Sequence, residues 1–159
     1  SVIDTPGAAL SREAEERGLA SEIARTLSEL LTLSCPTVSL LLGQGTGGIA
    51  LALTPADRIV ATEHAWLAPL PPEGASAIVH RDTDHAPEMA DRQGIRAVDL
   101  RAAGIVDRII PEPDDPARER EAFCLEVGRV LHDAVLRVLA MPKRDRLAAR
   151  RARFRRLGL

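Results

Sequence analysis

Apolar side chains recur at three- and four-residue steps in the segment that follows Ser11, which is the pattern of an amphipathic helix. The repeating positions are Leu19, Ile23, Leu27, Leu30 and Leu31. This spacing predicts one helix over residues 12–33, with Ser11 as its N-cap. Cys35 and Pro36 follow, and the proline indicates that the helix has ended.

A different pattern begins directly after this helix. Residues 37–42 are β-branched or aliphatic without regular polar alternation, which indicates a strand covered on both faces. Glycines then dominate residues 43–48, and residues 49–53 are helix formers again. The chain is therefore predicted to run from a strand through a glycine turn into the N-terminus of a helix.

The rest of the first two thirds of the chain predicts an α/β domain. The predicted elements are strands at residues 1–4, 58–62 and 105–110, extended chain at 66–70, and helices at 73–80, 86–92 and 98–103. Residues 111–113 close the compact unit, so residues 1–113 are predicted to form one domain. Because residues 1–4 resemble the end of a buried strand, we expect the chain to be a fragment of a longer protein.

Residues 114–159 are predicted to be a helical extension. Apolar positions at helical spacing indicate a long helix over residues 116–139, and Pro142 separates it from a terminal basic helix. The basic stretch 144–156 allows two interpretations, a nucleic acid surface or a solvated helix that packs on the domain. The apolar residues that favour packing are Leu147, Phe154 and Leu157.

Composition narrows the function classes. Aromatic residues make up only 2% of the chain, so a base-stacking surface for nucleic acid is not expected. The two cysteines lack metal-ligand spacing, which predicts neither a zinc site nor a disulfide framework. The longest apolar run is far shorter than a membrane span and no secretion signal opens the chain, so a cytoplasmic location without membrane contact is expected.

The glycine turn is the main candidate for chemistry. Glycine lets a ligand approach the backbone closely, and the amides at a helix N-terminus favour negative oxygen. A Walker A loop needs a lysine after its last glycine, but Gly48 is followed by Ile49. A dinucleotide fingerprint is also disfavoured, because no ribose-binding acid follows at the expected distance. An oxyanion hole and a tight turn without a ligand both remain open.

Four segments, in order and spacing, resemble the carboxyltransferase α subunit of bacterial acetyl-CoA carboxylase, a biotin-dependent acyl-CoA carboxyltransferase of the crotonase superfamily. They are residues 4–8 (DTPGA), 14–18 (AEERG), 43–52 (GQGTGGIALA) and 72–78 (PEGASAI). The resemblance covers about residues 2–113. It implies a crotonase-like (ClpP/crotonase) α/β fold that lacks its first strands.

What the resemblance implies for function is carboxyl transfer from carboxybiotin, held on a carrier protein, to acetyl-CoA in fatty-acid synthesis. In this family one domain binds acyl-CoA and a facing domain binds carboxybiotin. This chain resembles the domain that binds carboxybiotin. The implied catalytic groups are the backbone amides of Gly47 and Gly48, with Ile49 as a further donor. The implied cofactor-binding residues are Gly45, Thr46, Gly47, Gly48, Pro72, Glu73 and Gly74.

The implied partners are an acyl-CoA-binding carboxyltransferase domain and a biotin carboxyl carrier protein, in a dimer or larger assembly. No metal is implied. Two positions depart from the family pattern, since Gln44 replaces a common glutamate and Thr46 replaces a glycine. The backbone path of the turn is expected to survive both changes.

Other functions are weighed against this one. The chain is alternatively a noncatalytic fragment or assembly scaffold of such an enzyme. A second alternative is an acyl-CoA hydratase or decarboxylase, which would need Glu73 as an acid or base, although a carboxylate at a helix start also caps the helix. Asp4 is expected to form a turn, with a place in the lining of the biotin pocket as the alternative, and Trp66 to anchor a small core or an interface. The four histidines are expected to be dispersed surface or structural residues.

Overall fold

The computed structural model describes residues 1–9 and 11–156. The strands are β1 (Val2–Thr5), β2 (Val38–Thr46), β3 (Arg58–Thr62), β4 (Trp66–Ala68) and β5 (Arg108–Ile110). The helices are α1 (Arg12–Glu16), α2 (Leu19–Thr32), α3 (Gly47–Leu53), α4 (Pro72–Val79), α5 (Ala86–Gln93), α6 (Ala97–Ala102), α7 (Arg120–Leu139) and α8 (Lys143–Arg153). A 3₁₀ turn, Phe154–Arg156, follows α8.

The strands form one sheet with the order β1-β2-β3-β5, and β4 pairs with the end of β2. Every one of these pairs is parallel. Parallel neighbours cannot be joined by tight hairpins, so the chain crosses over through helices between strands. The predicted α/β fold is confirmed for the described residues.

Side chains from the sheet enter two apolar clusters, because successive residues of a strand point to opposite faces. One cluster joins β2 and β3 to α7, and it contains Leu40, Val60, Ile110, Val130 and Ala134. The other lies against α3 and α6, and it contains Ile3, Leu41, Ala50, Ile59, Ala61, Ala97 and Leu100 among others. The absence of alternation in residues 37–42 therefore correctly indicated a strand covered on both faces.

The predicted single helix over residues 12–33 is wrong, because Gly18 divides it into α1 and α2. Gly18 has φ +82°, in the left-handed region that ends a regular helix. All five periodic leucine and isoleucine positions belong to α2, so the apolar spacing said nothing about the segment before it. The N-cap prediction holds for α1, since Ser11 Oγ accepts a hydrogen bond from Ala14 N at 3.1 Å.

The predicted glycine turn over residues 43–48 is also wrong, because β2 continues to Thr46 and α3 begins at Gly47. The register between β1 and β2 shifts within this stretch, from Ile3↔Leu41 to Thr5↔Gly45. Asp4 lies in β1 rather than in a turn, and its Oδ1 accepts a hydrogen bond from the Gln44 backbone amide at 3.0 Å. The carboxylate thus stabilises the irregular register.

Other boundaries differ less. The last predicted strand is shorter than expected and covers only Arg108–Ile110, and the long helix begins at Arg120 instead of residue 116. The terminal basic helix is present as α8, and Phe154, in the 3₁₀ turn that follows it, packs against the apolar cluster at α3 and α6, as the packing interpretation predicted. Its polar face is not simply solvated, however, because Arg146 and Arg150 are buried. Leu157 lies outside the described residues.

No helix in the described part of the chain is both long and apolar enough to cross a membrane.

Two glycine substitutions are expected to change stability in opposite directions. A β-carbon at Gly45 would lie 2.8 Å from Leu41 Cδ1 and 2.9 Å from the Trp66 carbonyl oxygen, and the backbone oxygen cannot move aside. Gly45→Ala should therefore lower the free energy of unfolding by about 1–3 kcal/mol. Gly128 lies inside α7 with nothing within 4 Å of such an atom, so Gly128→Ala should raise it by about 0.5–1 kcal/mol.

Urea denaturation followed by circular dichroism measures both changes. Equal effects of the two substitutions would contradict the tight packing around Gly45.

Candidate active site

The candidate site lies where β2 ends and α3 begins. Thr46 still has extended backbone angles, and Gly47 then adopts φ +70°, so the chain turns sharply at the sheet edge. The first amides of a helix have no partner within the helix, and they carry partial positive charge. The amides of Gly47, Gly48 and Ile49 are of this kind.

The two glycines of this turn have different surroundings. A β-carbon at Gly47 would meet nothing within 4 Å, so the space beside its α-carbon is open. A β-carbon at Gly48 would lie 3.3 Å from Ile23 Cγ2, a side chain of α2. One residue therefore faces open space while the next is supported from behind by a helix.

A groove of about 230 Å³ lies beside the turn. Its lining comes from the end of β2, the β4 region, α4 and the end of α5, and consists of Pro6, Gln44, Thr46, His64, Trp66, Pro71, Pro72, Glu73, Ala90, Asp91, Ile95 and Arg96. Among the residues implied by the family resemblance, Thr46, Pro72 and Glu73 meet in this groove. The structure thus brings together two segments that are far apart in the sequence.

The other implied residues do not line the groove; they are Gly45, Gly47, Gly48, Ile49 and Gly74. Gly45 is buried between β1 and β4, where it pairs with Thr5 and Leu67. Gly74 belongs to α4, and a β-carbon there would touch Leu70 at 3.4 Å. Close packing therefore accounts for the glycine at position 45 without any ligand, whereas a β-carbon at Gly74 would make only an ordinary van der Waals contact.

Trp66 is a groove residue that the sequence pattern did not identify as such. Its backbone pairs with Gln44 in the sheet and forms an antiparallel bridge with Arg96. The side chain is half-buried and lines the groove, so it is not a simple core anchor. Trp66 lies at the groove because β4 pairs with the end of β2. No local sequence pattern indicates this pairing, so the sequence could not have predicted the position of Trp66.

Charges of both signs border the groove. Arg96 Nε donates a hydrogen bond to Asp99 Oδ2 at 2.9 Å, and this bond raises the pKa of Arg96 and lowers that of Asp99. Asp91 lies 3.9 Å from Arg96, and Glu73 stands at the start of α4. The groove thus has two carboxylates, Glu73 and Asp91, against one guanidinium, Arg96, which is already bonded to Asp99.

The expectation that the histidines are dispersed is wrong for one pair. The rings of His80 and His85 stack with their centroids 4.0 Å apart. His85 Nδ1 lies 2.9 Å from Asp82 Oδ1, and this hydrogen bond lowers the pKa of Asp82 and raises that of His85. The described residues contain no group of three or more His, Cys, Asp or Glu suited to hold a metal ion.

A family model described as acetyl co-enzyme A carboxylase carboxyltransferase-like matches residues 1–158. The chain belongs to this family. Relatives of the chain are named as subunits of two kinds of carboxylase. The chain is 56% identical over 158 residues to the probable biotin-dependent acyl-coenzyme A carboxylase beta3 subunit of Mycobacterium tuberculosis H37Rv, covering 99% of this chain and 32% of the relative.

Another relative is the acetyl-coenzyme A carboxylase carboxyl transferase subunit alpha of Heliobacterium modesticaldum. The identity is 40% over 158 residues, which cover 99% of this chain and 47% of that protein. This carboxyltransferase-like chain thus spans 32% and 47% of the length of these two relatives.

Solved structures share the fold of this family member. A Pseudomonas malonate decarboxylase hetero-tetramer in complex with coenzyme A matches with a TM-score of 0.76 at 22% identity, over 98% of this chain and 65% of that one. The transcarboxylase 12S structure with methylmalonyl-coenzyme A bound matches with a TM-score of 0.70 at 23% identity, over 89% and 27%. The expected crotonase-type carboxyltransferase fold is thereby confirmed.

Glu112, which accepts a hydrogen bond from the backbone amide of the groove residue His64, is expected to make the free energy of unfolding depend on pH. Burial raises the pKa of its carboxyl group, but hydrogen bonds from Thr62 and His64 lower it, and the net pKa lies below the ordinary value of 4.5. A carboxyl group whose pKa is lower in the folded than in the unfolded state stabilises the protein at any pH above its unfolded-state pKa. This stabilisation is lost as the pH falls through the folded-state pKa. Glu112→Gln should therefore cost about 1 kcal/mol near neutral pH and progressively less in acid.

Urea denaturation of both proteins at about pH 7 and about pH 3 measures this difference. A difference that persists unchanged in acid would contradict the assignment to the Glu112 carboxylate.

Proposed function

We propose that this chain forms the carboxybiotin side of a biotin-dependent acyl-CoA carboxyltransferase site. The observation that carries the proposal is the conformation of Gly47, which turns at φ +70° into the first turn of α3 and has open space beside it. An oxygen atom that enters this space can approach the amides of Gly47 and Gly48. The Ile49 amide is a further possible donor.

The backbone around these amides is held before any ligand arrives. Gly45 is enclosed by Leu41, Leu67 and the Trp66 carbonyl, so the strand that precedes the turn has little freedom. Ile23 lies behind Gly48 on the other side. Donors that are fixed in advance need no reorganisation when charge develops, which is the property of an oxyanion hole.

Bound carboxybiotin would supply the transferred carboxyl group, and its ureido part would accept the proton from the carbon beside the thioester. The donor set of the chain fits this role, because backbone amides stabilise an oxygen that gains negative charge without donating a full proton. Each such donor is worth about a hundred- to a thousandfold in rate. Thr46, Pro72 and Glu73 would border the ring in the adjoining groove.

The substrate is proposed as an acyl-CoA, with acetyl-CoA as the first candidate. The relatives carry both acetyl-CoA carboxylase and acyl-CoA carboxylase names. These names support an acyl-CoA substrate more firmly than they support any particular length of its acyl group. The acyl-CoA is proposed to bind on a facing carboxyltransferase domain, and biotin to arrive on a carrier protein. Fatty-acid synthesis in the cytoplasm is the setting that this substrate favours.

Gly47→Val is expected to abolish carboxyl transfer in the assembled enzyme. The side chain would occupy the open space from which the ureido oxygen approaches, so the rate should fall at least about a hundredfold. Gly104→Val is the matched control, because Gly104 has φ +74° and also has nothing within 4 Å of a β-carbon. Both variants bear similar backbone strain, but only the first touches the site.

The measurement is carboxyl transfer from malonyl-CoA to biocytin, with the chain assembled with its acyl-CoA-binding partner. Equal activity in the two variants would reject the amide site and favour the scaffold interpretation.

Glu73 allows a second test, because a hydratase or decarboxylase would use it as a catalytic acid or base. It lines the groove at the first turn of α4, where a carboxylate also interacts favourably with the helix dipole. We expect Glu73→Gln to retain most transfer activity, since the proposed chemistry needs no side-chain acid. A loss of about a hundredfold or more, together with enoyl-CoA hydratase activity in the wild type, would favour the alternative enzyme.

A further inference from the structure

A buried ion-pair cluster joins two arginines of α8 to Asp57, the residue that precedes β3. We call it the arginine clasp; it consists of Asp57, Arg146 and Arg150. The Arg150 guanidinium donates two hydrogen bonds to the Asp57 carboxylate, at 2.9 and 2.7 Å, and Arg146 Nε lies 3.3 Å from the same carboxylate. The side chains of Arg150 and Asp57 are 0% and 1% exposed.

The clasp also binds the C-terminal end of α2. Arg150 donates to the carbonyl oxygens of Leu30 at 2.8 Å, Leu33 at 2.7 Å and Cys35 at 3.2 Å, and Arg146 donates to that of Ser34. The last carbonyls of a helix lack partners within the helix and carry partial negative charge. No basic residue occurs in the last turn of α2 itself, so α8 provides the positive charge that this helix end lacks.

α2 depends on this anchor more than the other long helix does. No residue of α2 is fully buried, whereas α7 buries Val130, Ala134 and Val138. Apolar packing therefore holds α7 firmly and α2 only partly. The several hydrogen bonds from the clasp are a directional restraint that determines where the end of α2 lies.

The position of α2 matters for the glycine turn, because its Ile23 side chain lies directly behind Gly48. The same carboxylate of Asp57 also accepts hydrogen bonds from the Thr37 amide at 2.8 Å and the Thr37 hydroxyl at 3.2 Å. Thr37 precedes β2, the strand that ends at the site. The clasp thus restrains both the helix behind the turn and the strand that leads to it.

We propose that Arg150 is a positioning residue for the carboxyl-transfer site, acting through α2 and Ile23 on the Gly48 amide. This inference rests on the proposed function. Arg150 touches neither substrate nor cofactor in this arrangement. Its effect on the reaction is to hold α2 in place behind Gly48, so that the amide donors stay aligned with the oxygen that they stabilise.

The first test uses hydrogen exchange on the chain alone. Arg150→Lys keeps the charge beside Asp57 but loses the planar fork that reaches several carbonyls at once. Val138→Ala is the stability control, since Val138 is 0% exposed and belongs to α7 instead of α2. Exchange should accelerate about tenfold in α2 and in the amides of residues 48–52 for Arg150→Lys, and not for Val138→Ala.

The second test measures kcat and KM for transfer to biocytin in the assembled enzyme, well below the melting temperature of every variant. Arg150→Lys should lower kcat about tenfold with little change in KM, because misaligned donors weaken transition-state binding. Ile23→Ala should lower kcat similarly while leaving the clasp intact, which keeps the proposal testable if Arg150→Lys does not fold. Val138→Ala should leave kcat unchanged.

Each outcome decides a separate point. Unchanged exchange in residues 48–52, or unchanged kcat in Ile23→Ala, overturns the positioning role. Accelerated exchange in a protein whose wild type transfers no carboxyl group would uphold the mechanical coupling, but it would overturn the proposed function and with it the role of Arg150 in transfer.

Discussion

The central constraint on this fold is that one strand, β2, pairs with three others. Its first half lies between β1 and β3, and its second half lies between Thr5 of β1 and the short strand β4. Pairing on both sides fixes the backbone of β2 at both of its ends, because a shift there would break two ladders at once. The carboxyl end of the strand is therefore a rigid place from which a helix can start, and the candidate site lies there.

Chemistry at such a place follows from backbone geometry more than from side chains. Glycine is required at positions 45 and 47 for opposite reasons: at Gly45 the neighbouring atoms leave no room, and at Gly47 the left-handed φ allows the sharp turn. The amides that follow are thus presented beside open space, with Ile23 behind them. The oxyanion hole proposed here consists of backbone amides alone, so it needs no catalytic triad.

Much of the fold could be predicted from sequence because local signals and burial agree. The central strands and most helices have the boundaries that apolar spacing predicted, within a few residues. The errors occurred where tertiary contacts override local pattern. Gly43–Thr46 were expected in a turn because glycines are common there, but pairing with β4 and the Asp4–Gln44 bond hold this segment as a strand. The composition of the groove depends on the same non-local register, which placed Trp66 there.

The arginine clasp shows the limit of pattern reasoning most clearly. A helix with so many arginines looks solvated, because charged residues are seldom buried unless they are paired. Their partner, Asp57, follows a proline in what looks like an ordinary turn, and nothing in its spacing relates it to a residue 93 positions later. The buried charge is compensated by the Asp57 carboxylate and by carbonyl oxygens at and just after the end of α2, which lie in two separate segments. Asp57, the end of α2 and α8 come together only in the folded chain, so no local pattern could have predicted that arginines of the terminal helix are buried.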